Sequence, residues 1–124
     1  MKIAIGSDHG GYELKEAILK YLLSRKYEVK DFGTDSLNSV DYPKFGFLVG
    51  EAVTKLGYDL GIVFCGTGIG ASIAANKVLG VRAALIYDLN TAHLAKEHNN
   101  ANVIAIGGRT TSTALAIQMI DEFL

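Results

Sequence analysis

Five short apolar runs punctuate the chain, KIAIG (2–6), YEVKDFG (27–33), DLGIVFC (59–65), VRAALIY (81–87) and NVIAIGG (102–108), with helix-period stretches between them. Runs of this length predict β-strands. In the first gap Leu14, Ala17, Ile18, Tyr21 and Leu22 recur at helical spacing and predict one buried stripe. Phe45, Leu48, Val49, Ala52, Val53 and Leu56 repeat the pattern, with Pro43 suited to a first turn where its missing N–H costs little. Ala116, Met119, Ile120, Phe123 and Leu124 form a last stripe. Strands that are apolar almost throughout, each followed by a helix, predict a parallel sheet, because parallel strands need crossovers and are covered on both faces. The expected fold class is α/β, a Rossmann-like three-layer sandwich with a five-stranded parallel sheet flanked by helices.

The 124 residues, 49% of them hydrophobic, suit one domain spanning 1–124, and no second domain fits. A net charge of -1 and a pI near 6.3 argue against a broad cationic face, so neither nucleic acid nor an acidic membrane is expected as a partner. The longest charge-free stretch, Leu60 to Asn76, is shorter than the roughly 20 residues of a spanning helix and contains four glycines. One cysteine cannot form an internal disulfide, and the opening MKIAIGSDHGG resembles no leader segment, so a cytoplasmic setting is expected.

In a sheet of this kind the loops leaving the C-terminal strand ends converge on one edge, where ligands bind. Those loops are SDHGGYE, TDSLNSVDYP, CGTGIGAS, the position of Asp88, and GGRTTS. Of the three arginines only Arg109 falls there, since Arg25 ends a helix and Arg82 begins a strand.

The stretch CGTGIGASIAANK (65–77) is open to two readings. Gly66, Gly68 and Ala71 satisfy G-x-G-x-x-A, with Asp88 at the distance of a ribose-binding acid, although a dinucleotide fingerprint normally opens the first βαβ unit and here it sits in the third. Alternatively Gly66, Thr67, Gly68, Ile69 and Gly70 expose successive N–H groups at a helix start, a cradle for an oxyanion such as an enediolate. Cys65 reads either as a small apolar filler or as a thiolate favoured by the adjoining helix N-terminus and able to take a proton beside a carbonyl.

Asp8 is a natural N-cap for the first helix. His9, between Asp8 and two glycines, can donate to a sugar hydroxyl or a phosphate, whereas His93 reads as helix surface. His98, Asn99 and Asn100 fall on a helix-to-strand return, away from the ligand edge of their own chain. They read as a helix C-cap with Asn in a left-handed conformation, or, if His98 is catalytic, as residues supplied by a second subunit.

Taken in order, GSDHGGYELK, DFGT, DYP, CGTGIGASIAANK, GVRAAL and HNNANVIAIGGR resemble the type B ribose-5-phosphate isomerase family, which includes allose- and galactose-6-phosphate isomerases. The resemblance runs over essentially the whole chain. It implies a metal-free, cofactor-free interconversion of ribose 5-phosphate and ribulose 5-phosphate through a cis-enediolate, with a phosphorylated sugar as the partner molecule. Cys65 would move a proton between C1 and C2, the turn from Gly66 through Gly68 and Ile69 to Gly70 would hold the enediolate oxygens, and Thr67 would relay hydroxyl protons. His98, helped by Asp8, would open the furanose ring; His9 and Arg109 would contact the phosphate; Asn99 and Tyr42 would seat the sugar. Joining His98 and Asn99 to the other residues implies a homodimer with its site at the subunit interface, or a dimer of dimers.

Galactose-6-phosphate enzymes use two related subunits, one of which lacks the cysteine; here Cys65, Thr67 and His98 are all present, which favours a self-sufficient homodimer. Members of the family usually continue past the last helix into a basic tail with further phosphate-binding arginines, whereas this sequence ends at DEFL. The preference for ribose over allose or galactose phosphates comes from the resemblance alone.

Overall fold

The structure, a computed structural model, describes residues 1–33 and 43–124. The five apolar runs form β1 (Lys2–Ser7), β2 (Glu28–Asp31), β3 (Leu60–Cys65), β4 (Ala83–Leu85) and β5 (Val103–Gly107). Between and after them lie α1 (Tyr12–Ser24), α2 (Pro43–Lys55), α3 (Ile69–Asn76), α4 (Leu89–Glu97) and α5 (Thr113–Phe123). All pairings are parallel, in the order β2-β1-β3-β5-β4. This is the Rossmann-like sandwich that the alternation predicts.

Strand pleating sorts the core into two layers. On one face Ile3, Ile5, Ile62, Phe64, Ile104 and Ile106 pack against α1, α4 and α5 through Ile18, Leu22, Ala92, Met119 and Ile120. On the other, Ala4, Val63, Cys65, Val103 and Ala105 pack against Val49 and Ala52 of α2 and Ala71 and Ala75 of α3. The smaller residues of this second face let α3 lie close to the sheet.

The outer strands depart from the expectation of strands covered on both sides. β2 is largely exposed and β4 has three half-buried residues, because each stands at an edge with a neighbour on one side only. In α1 Lys15 is fully buried despite its charge. Its ammonium lies 2.6 Å from Asp31 and 3.2 Å from Glu16, with the Tyr12 ring centroid at 4.9 Å. Leu56, the last member of the expected α2 stripe, falls just past the helix end and is exposed. Among the described residues no helix is long and apolar enough to cross a membrane.

Candidate active site

β1, β3 and β5 lie side by side at the centre of the sheet, so the loops leaving their C-terminal ends meet. The three loops approach at backbone distance. A Cβ placed on Gly10 would lie 3.0 Å from Gly66 N and 3.3 Å from Asp8 Oδ1, and one on Gly108 would lie 2.8 Å from Gly10 O. Main-chain bonds tie the same loops, from Gly108 N–H to Cys65 O at 2.7 Å and from Arg109 N–H to Gly66 O at 2.9 Å.

Cys65 ends β3 and is 8% exposed, with its side chain toward the α2–α3 layer. The N–H of Gly68 donates to its Sγ at 3.1 Å. The donor reaches the sulfur from the residue just before α3. Gly68 makes the turn possible with φ of 83°, a left-handed conformation in which a Cβ would meet Leu85 Cδ1 at 2.6 Å.

The glycine run offers fewer open donors than its length suggests. Gly68 N–H is taken by sulfur, and Ile69 N–H donates to Thr67 Oγ1 at 3.3 Å. Among the described residues the N–H groups of Gly70 and Ala71 have no protein acceptor, because they belong to the first turn of α3. Ala71 therefore joins the cradle, a donor beyond the 66–70 run in which the sequence placed it. Thr67 is exposed, and its hydroxyl accepts the Ile69 bond while keeping its own proton to donate.

Asp8 accepts from Gly11 N–H at 3.1 Å and caps a short 3₁₀ turn, His9–Gly11, which leads into α1. His9 Nδ1 is buried and has no partner among the described residues. His9, Gly10, Glu13, Leu14, Gly108 and Arg109 line a cleft of about 320 Å³. The Arg109 side chain lies over the turn, its Nη1 3.4 Å from where a Cβ of Gly66 would stand. Glu13 is an addition that the sequence did not flag, a carboxylate facing the same cleft as the arginine. Among the described residues no three His, Cys, Asp or Glu side chains are grouped to hold a metal ion.

His98 and Asn99 are not brought to this edge. His98 is the C-cap of α4, and both residues are exposed. Asn99 lines a separate groove of about 470 Å³ with Asn76, Arg82 and Ala83, beside the start of β4. Asn100 has φ of 47°, the left-handed asparagine expected of this return. Arg82 Nε donates to Asn100 O at 2.8 Å, so that arginine also belongs to the far edge. Tyr42 and the segment 34–42 of the second loop lie outside the described residues.

Asp88, the ribose-binding acid of the dinucleotide reading, is engaged elsewhere. It accepts from Thr91 N–H at 2.7 Å in a capping box that starts α4. That backbone bond, then the Thr91 hydroxyl, holds its carboxyl below the ordinary carboxylate range. His93 stays on the helix surface, paired with Glu97 and Glu122.

Comparison with known proteins agrees with the geometry along the whole chain. A solved structure of Clostridium thermocellum ribose-5-phosphate isomerase B superposes with a TM-score of 0.97 at 54% identity, covering 99% of this chain and 83% of that one. Mycoplasma genitalium ribose-5-phosphate isomerase B, solved with bound ribulose-5-phosphate, gives 0.93 at 44% identity, covering 98% and 82%. A curated relative, the galactose-6-phosphate isomerase subunit LacB of Clostridium acetobutylicum, is 48% identical over 124 residues, 100% of this chain and 72% of that protein. The Ribose/Galactose Isomerase family model matches residues 3–124, and the chain belongs to that family.

Proposed function

We propose that the chain is a ribose-5-phosphate isomerase of type B, a single catalytic domain converting ribose 5-phosphate to ribulose 5-phosphate and back through a cis-enediolate. The observation that carries the reading is the Cys65 sulfur, held by Gly68 N–H at the mouth of α3, on a strand end whose carbonyl is bonded to Gly108 of the loop that carries Arg109. Support also comes from the bound ribulose-5-phosphate named for the Mycoplasma genitalium relative.

In this scheme the phosphate is held by Arg109 and by His9, which line one cleft. The open-chain aldose lies with C1 and C2 beside Cys65. The thiolate removes the C2 proton, the C–H electron pair forms the C1–C2 double bond, and the carbonyl pair moves onto O1. The resulting oxyanion is met by the open N–H groups of Gly70 and Ala71. Thr67 carries the hydroxyl proton from O2 toward O1. The thiol then returns its proton to C1, and O2 becomes the ketone.

Ring opening is assigned to His98 with Asp8, and sugar seating to Asn99 and Tyr42. His98 and Asn99 stand at the edge opposite Cys65, so a second copy of the chain supplies them. An apolar strip supports such an interface: Ile69 and Ile73 on α3 are 52% and 53% exposed, and Leu79 just beyond is 95% exposed. A lone unpaired thiol suits a reducing, cytoplasmic setting.

The LacB relative favours a second reading, a subunit of a galactose-6-phosphate isomerase. An assay on pentose and hexose phosphates, with chelator present, tests both. Turnover of ribose 5-phosphate by the chain alone is expected. Turnover of galactose 6-phosphate only, or only with a related subunit added, would replace the first reading by the second.

A further inference from the structure

Helix α3 has eight residues, too few to keep its shape without neighbours. The residue that opens it nevertheless aims the Gly68 N–H at the Cys65 sulfur, so something outside the helix must fix its pose. Two contacts do so by shape. At the start, Gly68 fits against Leu85 and Gly107, where an added Cβ would lie 2.6 Å from Leu85 Cδ1 and 3.1 Å from Gly107 N. In the middle, a Cβ on Gly46 of α2 would lie 2.7 Å from the Ala74 Cβ and 2.9 Å from Ala75 N. Contacts of this kind limit approach but leave the helix free to rock.

The third contact is directional. Asn76, the last residue of α3, donates from Nδ2 to Ala83 O at 3.0 Å and accepts at Oδ1 from Ala83 N–H at 2.8 Å. β4 stands at the sheet edge, with Arg82 O and Ile86 N–H bonded toward β5, so strand alternation turns both polar groups of Ala83 outward. A carboxamide carries one donor and one acceptor spaced like those of a peptide, and here it takes the place of a missing neighbour strand.

We infer that Asn76 is a positioning residue of the active site, setting the tilt of α3 by locking its far end to β4. The lever is short: about 11 Å of helix separates Asn76 from the catalytic turn, so a tilt of about 5° displaces the N–H groups there by about 1 Å. A displacement of that size is enough to cost about 100-fold in rate. Arg109 and His9 sit on other loops and keep their grip on the phosphate. The kinetic consequence rests on Cys65 being the base; the geometric one does not.

The test compares Asn76→Ala, which removes both bonds, with Asn76→Asp, which keeps the acceptor and loses the donor, and it reads kinetics, solution mass and the pH profile of Cys65 alkylation by iodoacetamide. Both variants should lose about 10- to 100-fold in kcat with KM within about twofold of wild type. Their alkylation profiles should move to higher pH, as the Gly68 N–H loses its aim at sulfur. An unmoved profile in both, or a loss of activity accompanied by a change of solution mass, would overturn the inference. The alkylation measurement needs no turnover, so a wild type inactive on ribose 5-phosphate would defeat the proposed function and still leave the role of Asn76 to be decided.

Discussion

The N–H of Gly68 points back at the sulfur of Cys65, three residues earlier, across 3.1 Å. One glycine thus closes the turn and supplies the sulfur's only hydrogen bond among the described residues. The sequence fixes this relation through φ, since 83° at position 68 disfavours any residue with a side chain.

Replacing Cys65 by Ala removes the proposed base and little else, because the side chain is small and the fold around it is packed by its neighbours. Isomerase kcat should fall about 100- to 10,000-fold. Circular dichroism and the thermal midpoint should stay close to wild type, and retained turnover would exclude Cys65 as the base.

Gly68→Ala tests the turn. The left-handed backbone costs about 1–3 kcal/mol for a non-glycine residue, and the new methyl would also press on Leu85 and Gly107. Urea denaturation should show a loss of at least that order, accompanied by lower kcat.

Asp88 gives a prediction about pH. Its folded carboxyl titrates below its unfolded one, so the stabilisation it provides is present above the unfolded value and is lost as pH falls through the folded value. Thermal melts of wild type and Asp88→Ala should differ at pH 7 and converge in strong acid. Equal activity of the two proteins would also separate this residue from ligand binding.

If His98 acts across an interface, chains carrying Cys65→Ala and chains carrying His98→Ala should each be inactive alone. Mixed under conditions that allow subunit exchange, they should regain activity, since one site of a mixed dimer holds both native residues. No recovery in a demonstrated mixed dimer would place the two residues in one chain's site.

Lys15→Met removes a buried ammonium from Asp31 and Glu16. The carboxylates left behind are 29% and 45% exposed and regain water, so the cost is that of a partly solvated pair, about 1 kcal/mol. Chemical denaturation should show that loss, and restoring the charge with Lys15→Arg should not recover it fully, because a guanidinium is too large for the same space.

The strands and helices were legible because each carries its own local period, and the edge hosting Cys65, Thr67, Asp8, His9 and Arg109 followed from strand direction. What local pattern cannot carry is partnership at a distance. Lys15 gives no sign of its burial until Asp31, sixteen residues on, is seen beside it. The placement of β5 between β3 and β4 depends on pairing among non-neighbours. Asn76 sits inside a motif read for its glycines, and its role emerges only when β4 is found at an open edge. The involvement of Thr67 Oγ1 with Ile69 N–H, which takes one donor out of the cradle, is likewise a matter of side-chain rotation.

The glycine seam joining the loops after β1, β3 and β5 has an evolutionary corollary. A methyl group at position 108 would collide with the Gly10 carbonyl and one at position 10 would crowd Gly66, so this junction has little freedom to drift. Novelty in sugar choice must then arise at the periphery, away from this hub. A lineage could thereby change its preferred substrate while the reacting centre stays frozen.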